Sequence, residues 1–222
     1  MSIFKRVSLG VAAAALVLVP LTACSSDSSS SAAAASSSVD ESKPVAQIND
    51  LAKGKMTQVT LDSGFTGALT ALGLTPGTVG SATISADGVA TFPITGGNVT
   101  YYKPGTKSPF VVGSIKHTGS GLSLTAGATK VELSNFTIDP GASKLYGDVS
   151  VNGTVAVEQA YLFILDGTTL KALQTSGTDA ILEGTKVEVS ADAAALLDKT
   201  FNTTAVKEGL LVGIAKITVA TQ

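Results

Sequence analysis

From about Thr57 the chain alternates apolar or β-branched residues with polar ones, and turn formers punctuate it at intervals of roughly ten. This pattern predicts strands over 59–61, 81–85, 89–94, 99–102, 110–117, 122–125, 131–133, 136–138, 144–151 and 154–165. More follow near Leu170, Ile181 and Val187 and over 210–220. Asp87-Gly88 and Asn152-Gly153 are hairpin turns, and Gly119-Ser120-Gly121 reads as a turn between two strands. Two short helices interrupt the strands. Ser190 caps 190–197, with Leu196, Leu197 and Phe201 on one side. Asp62 caps 62–72, with Phe65, Leu69 and Leu72 at helical spacing. The expected fold is all-β, an antiparallel β-sandwich or flattened barrel over 55–222 with two short peripheral helices.

An internal echo accompanies this pattern. Thr57-Gln58-Val59-Thr60-Leu61 is similar to Thr185-Lys186-Val187-Glu188-Val189, and each run leads into a capped helix. Gly80-Ser81-Ala82-Thr83-Ile84 is similar to Gly213-Ile214-Ala215-Lys216-Ile217. Pseudo-symmetric halves and chance similarity of β-segments both account for it.

Upstream the texture differs. Lys5 and Arg6 precede an apolar run over 9–21, too short for a lone membrane-spanning helix. It ends in Leu21-Thr22-Ala23-Cys24, which resembles a bacterial lipobox. The expectation is a lipoprotein signal peptide over 1–23, with Cys24 diacylated and anchored in the cell membrane on its extracytoplasmic face. Residues 25–42 are Ser- and Ala-rich and bury too little to order themselves, so 24–54 is read as lipidated cysteine plus flexible tether.

Composition narrows the chemistry. Of 15 basic residues, losing Lys5 and Arg6 leaves 13, all lysine, against 17 acidic ones, a net charge of −4. An acidic chain without arginine is a poor nucleic-acid binder. The single cysteine leaves no intramolecular disulfide, and the single histidine, His117, leaves no His-rich metal site. Neither a nucleophile elbow nor a phosphate loop occurs, and the scattered carboxylates form no calcium-loop or glycosidase pair.

His117 is the only side chain with an ordinary pKa near neutrality. On a strand over 110–117 it shares a face with Val111, Gly113 and Ile115, at the strand's end. A strand-end histidine satisfied by backbone, a ligand contact, and a hydrolase base beside a serine are the three readings. Tyr101 and Tyr102, being adjacent on a strand, point to opposite faces, so at most one lines an interior. Tyr146 and Tyr161 read as core or interface residues.

Val89-Ala90-Thr91-Phe92-Pro93-Ile94-Thr95-Gly96-Gly97, then Gly113-Ser114-Ile115-Lys116-His117-Thr118-Gly119, 145–151 and the late element 186–195 together resemble the haem-transport-associated (HtaA) domain. That resemblance implies a surface-anchored domain binding haem through a tyrosine supported by a histidine. His117 falls near the family's histidine; Phe65 stands where its tyrosine belongs. Tyr101 or Tyr102 is then the substitute iron ligand, with His117 as its hydrogen-bond partner and Lys103 or Lys116 facing the propionates. The anchor, the tether and the lack of assembled catalytic groups lead to the main expectation, a non-enzymatic, lipid-anchored surface protein that binds a ligand or partner or serves the envelope structurally. Haem binding and a hydrolase using His117 are the alternatives.

Overall fold

The computed structural model describes residues 43–221. The expected signal peptide, Cys24 and residues 25–42 of the tether lie outside them. In chain order the elements are β1 (Ala46–Ile48), β2 (Met56–Leu61), α1 (Ser63–Ala71), β3 (Thr75–Gly80), β4 (Thr83–Ile84), β5 (Val89–Pro93), β6 (Gly96–Tyr101) and β7 (Val111–Ala126). They continue as β8 (Thr129–Asp139), β9 (Lys144–Val151), β10 (Thr154–Asp166), β11 (Gln174–Ser176), β12 (Asp179–Val189), α2 (Ala191–Phe201) and β13 (Leu211–Ala220).

The strands form one antiparallel sheet in the order β1-β6-β7-β8-β9-β10-β12-β13-β2-β5-β4, with β3 added to β7 and β11 to β12. The chain is therefore all-β, and of the two expected forms it takes the barrel-like one, a single curled sheet. Its two arms join where β5 runs on into β6. There Ile94 N donates to Lys55 O at 3.2 Å and Thr95 N to Lys116 O at 2.8 Å. Inward-facing Val59, Ala90, Phe92, Ile115, Phe136, Leu165, Val187 and Ala215 make the core.

A line of β-bulges bends the sheet. Register shifts fall between His117 and Gly121 on β7, between Ser134 and Thr137 on β8, and between Val157 and Ala160 on β10. Bulges increase local twist and bend the strand that carries them. One carboxylate ties the line together. Asp148 on β9 accepts from Asn135 Nδ2 at 2.8 Å, Gln159 N at 2.9 Å and Gln159 Nε2 at 3.0 Å. Asn135 Oδ1 in turn accepts from Gly119 N at 2.9 Å. Asn135 and Gln159 are left-handed, with φ of 53° and 47°. Burial pushes the Asp148 carboxyl up, but hydrogen bonds from Asn135 and Gln159 outweigh it and hold it below the usual range.

Several expectations change here. Gly119-Ser120-Gly121 is a bulge within one long strand, β7, because β8 continues beside it and keeps both halves paired. Residues 131–133 and 136–138 likewise merge into β8. The folded unit begins before residue 55: β1 pairs with β6, and Leu51 is 1% exposed.

Both helices form where capping places them. Asp62 Oδ1 accepts from Gly64 N at 2.8 Å, and Ser190 Oγ from Ala193 N at 3.0 Å. The echo holds for β2 with α1 and for β12 with α2, on either side of β13. It fails beyond that, since 213–217 lies inside β13 whereas 80–84 runs from the end of β3 into β4.

Candidate functional site

The curl encloses an apolar cavity of about 190 Å³. Its wall is built by alternation: on β7, Val111, Ile115 and His117 face inward, as Ile138 and Phe136 do on β8 and Ala215 on β13. Among the described residues no Asp, Glu or Lys lines it, and its polar side chains besides tyrosine are Gln47, Thr57, His117, Ser143 and Thr185. Pro109, Pro140, Ser143, Gly167 and Leu170 belong to the lining and to the connections at one set of strand ends, so that end is the rim. β1 reaches the same lining with Ala46, Gln47 and Ile48.

His117 is 2% exposed and lies within β7 rather than at a strand end, because the bulge carries the strand onward. Its Nε2 stands 2.8 Å from Thr57 Oγ1 on β2. Its Nδ1 is buried without a hydrogen-bond partner. Burial pulls the imidazole down to about 4, with the Phe136 backbone acting weakly the other way. The ring is therefore neutral at pH 7. Phe92 meets it edge-on at 6.4 Å, and Phe92–Phe136 at 5.4 Å and Phe136–Phe163 at 6.4 Å continue an aromatic chain across the interior.

A second apolar cavity, about 60 Å³, lies beneath α1 and α2. Phe65, Leu69 and Leu72 line it from α1, and Leu196 and Leu197 from α2. Leu61, Leu122, Phe163 and Val212 line both cavities and form the partition between them.

The candidate residues separate. Tyr101, 6% exposed, lines the larger cavity on β6, where it pairs with Val111 at the rim end. His117 is six positions further along β7, about 20 Å at strand rise, so the two occupy different depths of one cavity. Tyr102 faces the other way, with Lys107 Nζ 4.0 Å above its ring. Lys103 and Lys116 are exposed, and Lys116 lies on the face of β7 opposite to His117. Tyr146 and Tyr161 pair on the outer face at 5.9 Å, half-buried, with Lys144 over Tyr161. The Ser120 hydroxyl near His117 is committed to the His117 carbonyl at 3.1 Å. The hydroxyl that reaches the imidazole is a threonine's, from a strand 60 residues away in sequence. Sequence patterning gave no sign of Thr57, since alternation assigns a face but not a partner across the interior.

No family model matches the chain, and none of the curated proteins matches it in sequence. Solved structures do. The C-terminal domain of HtaA from Corynebacterium glutamicum is 15% identical, with a TM-score of 0.52 over 78% of this chain and 98% of that one. The heme binding protein HtaB from the same organism is 9% identical, with a TM-score of 0.45 over 79% and 96%. The N-terminal domain of HtaA is 11% identical, with a TM-score of 0.42 over 75% and 97%. Through its likeness to the first of these, the chain has the fold of an HtaA-type domain.

Proposed function

We propose that this chain is a non-enzymatic binding protein, held by lipid on Cys24 at the extracytoplasmic face of the cell membrane, whose ligand is an apolar molecule taken into the curled sheet. The cavity carries this reading. Protein interiors pack with few voids larger than water. A space of about 190 Å³ without a filling group forfeits about 5 kcal/mol of packing at ~24 cal/mol per Å³. A ligand recovers that loss. The uncharged lining selects an apolar one, and the neutral His117 paired to Thr57 demands no charged group from it. The test is organic extraction of the purified Cys24→Ser protein and mass spectrometry of what it carries. A stoichiometric apolar compound supports the reading. An empty protein that no apolar additive stabilises against heat overturns it.

Haem is the second reading, favoured by the HtaA-type fold and by Tyr101 and His117 lining one cavity. The residues fit an iron porphyrin only in part. Tyr101 offers an oxygen ligand at the rim, but His117 is too deep to support it, Phe65 on α1 cannot ligate iron, and the chain after Cys24 has no arginine for the propionates. Haemin titration decides this. A saturable one-to-one Soret change lost in Tyr101→Phe supports haem, and one lost in Tyr102→Phe moves the site to the outer face. No change excludes haem.

A further inference from the structure

We propose that the ligand is a single acyl chain, which enters tail first through the rim and ends against the His117–Thr57 pair. This rests on the cavity being the binding site and names what fills it.

Three features point to a chain rather than a ring system. The first is shape. The lining runs from Val111 at the rim past His117 to Leu122, more than 20 Å of strand at about 3.3 Å per residue, yet the volume is only about 190 Å³. A cavity of ~150 Å³ in a compact form holds one benzene, so this volume drawn out along a strand is a narrow tube. The second is length. The hydrocarbon core of a bilayer is ~30 Å thick, so an acyl chain there reaches ~15 Å, about three quarters of the ~20 Å from Val111 to His117, and a longer chain held extended covers the rest. The third is polarity. The wall offers no charge, and at its deep end Nε2 and Oγ1 satisfy each other at 2.8 Å, leaving only His117 Nδ1 unpartnered in that pair. A methyl-terminated tail suits such a floor, whereas a charged or multiply hydrated head would shed its whole shell there for at most one hydrogen bond, to Nδ1. The head stays at the rim.

The experiment uses the full chain carrying Cys24→Ser and two probes, cis-parinaric acid for the chain and toluene for the ring. The expected result is saturable one-to-one parinaric acid fluorescence, displaced by palmitic acid. Ala215→Phe, which fills the lining opposite Val59 near the Thr57 end of the tube, should weaken it at least tenfold while the Tm holds or rises. Ala180→Leu, a smaller filling change at another lining position, keeps the test open where Ala215→Phe does not fold. Toluene binding without parinaric acid binding overturns the acyl chain and leaves the cavity reading standing. Failure of both probes overturns both. Parinaric acid binding that neither filling variant weakens places the chain elsewhere and overturns the proposal. Incubation with phospholipid vesicles followed by extraction then separates a membrane lipid from a free fatty acid as the source, and retention of either supports the acyl chain.

Discussion

His117 Nε2 and Thr57 Oγ1 meet at 2.8 Å across the interior, although β7 and β2 are not neighbours in the sheet. The bond joins the two arms of the curl from inside. Thr57→Val removes it and leaves both imidazole nitrogens buried without a partner. The expected cost is about 1–3 kcal/mol, and Thr57→Ser should recover most of it. Urea denaturation of the three proteins checks this.

The same histidine sets a pH dependence. In the folded protein its pKa is about 4, against 6.5 for the ordinary side chain. Above pH 6.5 it is neutral in both states and the full stability is present. As pH falls from 6.5 towards 4 the unfolded chain takes up a proton that the folded chain refuses, so stability declines, and below 4 the loss levels off. The total is on the order of 3 kcal/mol. His117→Gln should flatten the stability profile between pH 6.5 and 4 relative to the unsubstituted protein, as measured by denaturation at intervals across that window.

Ser190 is fully buried and has two tasks: Oγ accepts from Ala193 N and donates to the Tyr161 carbonyl at 2.7 Å. Ser190→Ala uncaps α2 and orphans that carbonyl. A loss of about 2 kcal/mol is expected, with Ser190→Thr milder. Thermal unfolding monitored by circular dichroism reads it.

Gly97 has φ of +111°, and a Cβ there would lie 1.9 Å from the Ser114 carbonyl oxygen. Gly97→Ala therefore pries β6 from β7, and with it Tyr101 and the attached β1 on the cavity wall. A destabilisation on the order of 3 kcal/mol is expected, together with faster amide exchange in β6 than in β9.

Local chemistry was readable from the sequence and long-range geometry was not. Asp62 and Ser190 are caps by residue type, and Asn152-Gly153 is a hairpin by backbone preference, so each predicted its element. The division of Tyr101 from Tyr102 follows from alternation alone. Gly119-Ser120-Gly121 misled, because glycine permits a bulge as readily as a turn, and the neighbouring strand decides between them. β1 was hidden by its shortness: three residues after a Ser/Ala-rich stretch carry no periodicity, and they are ordered by pairing with β6. For the site, His117 was singled out but its partner and depth were not, since both depend on how tightly the sheet curls.

The aligned bulges bear on how this fold tolerates change. A bulge is one surplus residue, and a strand reverses its facing with every residue gained or lost. Deleting Asn135, the surplus residue between Ser134 and Thr137, would leave Leu133, Phe136 and Ile138 in regular alternation on the inner face. It would cost only the bulge and its side-chain bonds to Asp148 and Gly119, whereas a deletion within the regular run 129–133 would turn one side of that strand out to water. Removing the surplus residue between Val157 and Ala160 on β10 would likewise keep those two opposite Val149 and Gly147. Single-residue losses are thus absorbed at the bulges and single insertions in the connections at the strand ends, while the regular stretches between them tolerate neither.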